Sequence, residues 1–80
     1  MKISFSEYLT SLDKFLRIIN KYTEDFVLKH DRFEVDAKSL LGIMSLDLTQ
    51  VLTLEPKDTI SQETENKIVA ELRDNKLLVE

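Results

Sequence analysis

Eighty residues leave room for one hydrophobic core, so residues 1–80 are read as a single domain. Hydrophobic residues at 42% and charged ones at 32% describe a globular chain rather than a disordered one. A formal net charge of −4 is the wrong sign for a nucleic-acid surface, and the absence of cysteine removes disulfides and thiolate metal sites. No apolar run approaches the ~18 residues that cross a bilayer, and the first residues lack the charged-then-apolar layout of a secretory signal. A cytoplasmic protein that does not associate with membranes is the expectation.

In chain order, Lys2-Ile3-Ser4-Phe5 alternates polar and apolar residues and predicts a first strand. Ser6 is a candidate cap for the helix that follows. Its apolar stripe is Tyr8, Leu9, Leu12, Phe15, Leu16, Ile19 and Tyr22, at spacings of three and four. Glu7, Ser11, Asp13, Lys14, Arg17 and Lys21 fall on the other side, so Tyr8 is expected in the core. Phe26–Lys29 and Phe33–Ala37 read as strands of a hairpin joined by His30-Asp31-Arg32. A two-residue turn at Asp31-Arg32 would favour positive φ at both positions, straining Arg32 by ~1 kcal/mol, so a looser turn or a weakened hairpin is expected.

Next comes Lys38-Ser39-Leu40-Leu41-Gly42-Ile43-Met44-Ser45-Leu46, a short helix with Ser39 as its N-cap. Its apolar side chains point almost all the way round. A domain of this size hides only ~60% of its unfolded surface, so some of them should stay in water as an apolar patch. Leu40, Leu41 and Met44 are the candidates for exposure, with core packing as their alternative, and Ile43 and Leu46 are the better candidates for the core. Gly42 costs ~1 kcal/mol against alanine inside a helix, which points to close backbone packing there. After Asp47 a strand is expected around Val51–Leu54, stopped by Pro56. The last helix opens at Asp58, Thr59 or Ser61, carries Glu63 and Glu65 early and Lys67 and Arg73 late, and buries Ile68, Val69 and Leu72. Lys76–Glu80 either prolongs it or forms a tail. The order βαββαβα implies an α+β fold, an antiparallel sheet with helices on one face.

Ser39-Leu40-Leu41-Gly42-Ile43-Met44-Ser45-Leu46, with Lys21–Leu28 and Phe33–Lys38 upstream of it, resembles the regulatory-serine segment of HPr, the small phosphocarrier of the bacterial sugar phosphotransferase system. The resemblance covers about three quarters of the chain. It implies an open-faced β-sandwich of four strands and three helices. HPr proteins carry phosphate on a histidine in a His-Ala-Arg-Pro-like motif at the start of the first helix. Ungapped alignment places Tyr8-Leu9-Thr10-Ser11 over that motif, with neither histidine, arginine nor proline, and the preceding connection is several residues short. Tyr8 thus marks the position of the lost histidine, and a phenol of pKa ~10 is a poor replacement. His30, the chain's only histidine, falls by the hairpin turn instead. Asp47 stands where HPr usually has glycine.

In some bacteria the HPr serine that matches Ser39 is phosphorylated by an ATP-dependent kinase, and the product binds a transcriptional repressor. A phosphate on Ser39 would meet the free N–H groups of a helix start; the plainer reading of Ser39 is an N-cap worth ~1 kcal/mol. Leu40, Leu41 and Met44 match positions that HPr uses to dock partners, and Arg17 lies on the exposed side of the first helix. Three functions follow. The first is a non-catalytic regulatory HPr-like protein that binds phosphotransferase-system components, a serine kinase or a transcriptional regulator. The second is a phosphocarrier using His30. The third is an HPr-fold adaptor outside that system. No glycine-rich phosphate loop, metal-ligand spacing or nucleophilic triad is present, so no catalytic residue, metal or cofactor is assigned.

Overall fold

Alternation along two strands decides which way the sheet faces. Phe26 and Leu28 of β2 (Phe26–His30) are buried while Val27 and Lys29 are half-buried, and Leu52 and Leu54 of β4 (Leu52–Pro56) repeat the pattern. The computed structural model, which describes residues 1–80, pairs β2 and β4 antiparallel with Leu28 opposite Leu54. β3 (Phe33–Asp36) lines the free side of β2, and β1 (Lys2–Ile3) the free side of β4, giving the order β1-β4-β2-β3 with every pair antiparallel. Three helices, α1 (Tyr8–Ile19), α2 (Leu40–Met44) and α3 (Gln62–Asp74), cover the apolar face. Phe15, Ile19, Ile43, Ile68 and Leu72 join the strand residues in one continuous core. The opposite face is open and polar: Lys29 reaches Glu34 at 3.4 Å on one side and Glu55 at 3.2 Å on the other.

The first helix differs from its sequence reading at its start. β1 ends at Ile3, and Phe5 drops into the core edge-on to Phe15, with ring centroids 5.5 Å apart. Ser6 does not cap α1. The N-cap is Glu7, without a side-chain bond of its own, and the Glu7 N–H donates instead to Ser11 Oγ at 3.0 Å. That bond explains why Ser11 is buried rather than solvent-facing: its hydroxyl satisfies a backbone donor from inside the first turn. Tyr8, expected in the core, is exposed together with Leu9, and Ile18 takes a buried place instead. For Tyr8 the backbone gives the reason: this first residue of α1 has φ 39°, away from the helical values that the spacing assumed, so its side chain leaves the stripe.

One turn and both ends of a strand are also corrected. His30 pairs with Phe33, so the β2–β3 turn is a tight two-residue one. Positive φ falls on Asp31 alone (57°), a residue that tolerates it, and Arg32 escapes the strain expected of it. β4 starts after Val51, which is exposed, and runs through Pro56, opposite Phe26. The Leu54 N–H donates to Met1 O at 2.7 Å, away from β2, so Pro56, two residues on, withholds no bond from the β2–β4 ladder.

Ser61 opens α3, its Oγ accepting from the Thr64 N–H at 3.1 Å. The far end is a Schellman stop. The Leu77 N–H donates to Leu72 O at 2.9 Å and the Lys76 N–H to Arg73 O at 3.0 Å, with Lys76 left-handed at φ 59° and both leucines buried. Residues 76–80 therefore form a tail. It runs beside β1, joined by Ser4 N–H to Leu77 O and Val79 N–H to Lys2 O, each 2.9 Å. A half-buried tie holds α3 to the end of α1, since Glu71 accepts from both Lys21 and Tyr22. Burial, then the bond to Glu71, pushes the Tyr22 phenol up to about 12; Lys21, then Tyr22, holds the Glu71 carboxyl below its ordinary value.

Two stability outcomes follow. Lys76→Gly relieves a left-handed side chain and should raise unfolding stability by about 1 kcal/mol, read as a higher urea midpoint at unchanged slope. Glu71→Gln should cost about 1 kcal/mol at pH 7, modest because the Glu71 side chain is 30% exposed. A lowered carboxyl pKa stabilises the fold above the ordinary value and ceases to do so as pH falls through the lowered one. The gap between wild type and Glu71→Gln should therefore narrow in urea titrations as pH falls below the ordinary carboxylate value of about 4.3 and close below the lowered one.

Candidate functional site

Five residues of helix can be held in place only by what surrounds them, and α2 is held from both sides. β3 hands over through Ala37, which is buried and donates its N–H to Phe26 O at 3.0 Å. The Asp36 carboxylate accepts from the Lys38 N–H at 2.9 Å, and Lys38 Nζ donates to Tyr22 O at 2.6 Å, tying the approach to the end of α1. Ser39 is extended (φ −98°, ψ 111°), and its Oγ accepts from the Gly42 N–H at 3.1 Å, an N-cap as expected. A Cβ on Gly42 would stand 3.2 Å from Ser39 Oγ and 3.4 Å from Val35 Cβ. The close neighbours behind that glycine are the helix's own cap and β3.

The outcome is a sharp division of side chains. Ile43 is fully buried and Leu46 nearly so, anchoring the segment. Leu41 is 82% exposed, and Leu40 and Met44 are each 47% exposed. Residues three and four apart are neighbours on a helix, so Met44 lies beside both leucines and the three form one apolar face. The segment then turns at Asp47, whose carboxylate accepts from Thr49 Oγ1 at 2.6 Å and from the Thr49 N–H at 3.1 Å. Those two bonds hold its pKa below the usual carboxylate range, leaving a firm negative charge next to the patch.

The other residues singled out in the sequence lie on other elements. Arg17 projects from α1, paired with Asp13 one turn back at 3.0 Å and largely solvated. Tyr8 opens α1 in its left-handed conformation beside exposed Leu9. His30 is the half-buried last residue of β2, on a different element from the start of α1. Sequence periodicity missed the exposure of Tyr8 and Leu9, and it missed exposed Phe33 at the hairpin. A hollow of about 350 Å³ beside the β2–β3 pair, bordered by Asp25, Glu34, Asp36 and Lys57, was likewise not foreseen. No residue of α2 lines it. No group of histidine, aspartate and glutamate is placed to hold a metal ion, and no helix is long and apolar enough to cross a membrane.

No protein-family model matches the chain, and no curated protein matches it. Among solved structures it is similar to the crystal structure of HPr-C-His from Thermoanaerobacter tengcongensis. The TM-score is 0.71 and the identity 22%, covering 94% of this chain and 91% of that one. Identity at this level speaks for the backbone alone. With four antiparallel strands in the order β1-β4-β2-β3 and three helices over one face, the chain has the HPr-like α+β fold.

Proposed function

We propose that this chain is a non-catalytic, regulatory relative of HPr that works by docking a protein partner on the exposed face of α2. The observation that carries this reading is the apolar face itself. Leu40, Leu41 and Met44 stand in water on a helix that is capped, tied by Lys38 and anchored by Ile43. A patch kept rigid and wet in so small a protein is accounted for by a partner that covers it. Arg17 on α1 is a further candidate contact.

The phosphocarrier role of HPr does not carry over in this reading. Its chemistry needs an imidazole at the first helix, and the start of α1 offers Tyr8, a phenol on a residue of left-handed φ. Ser39 is the candidate for phosphorylation. A phosphoserine there would bring close to two negative charges to the edge of the apolar face, changing which surface can dock. The partner is then a phosphotransferase-system component, a serine kinase or a transcriptional regulator, met in the cytoplasm.

Four assays test the proposal. Met44→Asp and Leu41→Asp should each shift stability by less than about 0.5 kcal/mol, being surface changes, yet abolish capture of a partner that the wild type retains. A partner held equally by both variants does not use this face. Ser39→Ala should lose about 1 kcal/mol with the cap, whereas Ser39→Asp, able to cap, should lose less than half of that. With ATP and an HPr serine kinase, label should appear on the wild type and not on Ser39→Ala; an unlabelled wild type would leave an adaptor outside the phosphotransferase system. An acid-labile phosphoramidate on His30, formed with phosphoenolpyruvate and the system's first enzyme, would overturn the non-catalytic reading.

A further inference from the structure

The chain has two sulfur atoms, in Met1 and Met44, and no cysteine. Their settings are opposite. Met1 is half-buried against the core, with its amino group donating to Leu54 O at 3.0 Å. Met44 ends α2, exposed, flanked on its own face by Leu40 and Leu41. A thioether packed in a core is shielded from oxidants, and its oxidation disrupts packing. One at the surface is open to attack and can change polarity while the fold stays intact.

We infer that Met44 is an oxidation site, and that its sulfoxide turns off the apolar face of α2. The co-reactant is a peroxide. The sulfur lone pair attacks one peroxide oxygen, an S–O bond forms as the O–O bond breaks, and the departing oxygen takes up a proton. With hydrogen peroxide the products are methionine sulfoxide and water, the sulfur oxidised and the peroxide reduced by two electrons. The new S–O group is a strong acceptor in the middle of a surface otherwise made of leucine side chains, and a partner that buried it unpaired would meet the cost of desolvation. The anchors of the segment are untouched, because Ile43, Leu46 and the Ser39 cap hold α2 without help from the Met44 side chain. This inference rests on the proposal that the α2 face docks a partner, and it supplies that face with a reversible control.

The test treats the folded 80-residue chain with hydrogen peroxide and follows it by peptide mass mapping, thermal melting and retention on a phenyl column. The Met44 peptide should gain one oxygen at a rate within roughly tenfold of free methionine, as an accessible thioether does. The melting transition should be unchanged and retention on the column shortened to match Met44→Gln. Methionine sulfoxide reductase should restore it, and Met44→Leu should keep full retention under peroxide. Slow oxidation of Met44, an earlier melt after oxidation, or unchanged retention would each overturn the inference. Capture lost with Leu41→Asp but kept by the oxidised chain overturns the switch alone. Capture that survives both overturns the switch and the docking face together.

Discussion

The structure depends on one requirement, that the apolar face of a four-stranded sheet be kept from water. Phe26, Leu28, Leu52 and Leu54 supply that face, and Phe15, Ile19, Ile43, Ile68 and Leu72 seal it from the three helices. Fully burying a side chain of this kind contributes about 1.5–3 kcal/mol, and with no disulfide or thiolate-bound metal the fold rests on this layer. The assignment of every other surface follows. Whatever α1, α2 and α3 do not spend on the sheet is left to face solvent, and in α2 that remainder is apolar.

Such an origin gives the α2 face its particular character. One side chain of the helix, Ile43, is committed to the core, while the cap at Ser39 and the Lys38 tie fix the backbone before it and buried Leu46 fixes the chain after it. Leu40, Leu41 and Met44 are thereby displayed from a backbone that has little freedom left to lose. For the docking role proposed above, that stiffness lowers the entropy that association must overcome. The open side of the sheet has the opposite constitution, with Lys29 shared between Glu34 and Glu55 in a largely solvated row that contributes little to stability. The two exposed surfaces of the molecule thus differ in kind: one is charged and already paired, the other is apolar and unpaired.

Much of this was legible in the residues, and the parts that were not share a cause. Period-two alternation found β2 and β3, helical spacing found α1 and α3, and Ser39 was read as a cap. Ile43 and Leu46 were separated from Leu40, Leu41 and Met44 because a helix of so few turns cannot bury all sides. The misreadings occur where the backbone departs from a regular track or where the deciding partner is distant in sequence. Helical spacing counts Tyr8 into a stripe from which its left-handed φ removes it. Ser11 was given to solvent because its bond to the Glu7 N–H is a cap made backwards, from within the helix. Pro56 reads as a stop in the sequence, although its missing N–H lies on the side of β4 turned away from β2. The tail was left undecided because its place is set by pairing with β1, at the other end of the chain.

That last pairing bears on how the molecule assembles. β1 is two residues long and is gripped between segments remote from it, with Lys2 facing Thr53 on one flank and Ile3 facing Leu78 on the other. The β2–β3 ladder closes across a two-residue turn and can zip early, at small loop entropy. β1 has no such local start, so its slot must be shaped by both neighbours before it fills. By that loop-closure argument, the rim of the sheet on that flank is the seam expected to shut last during folding and to fray first.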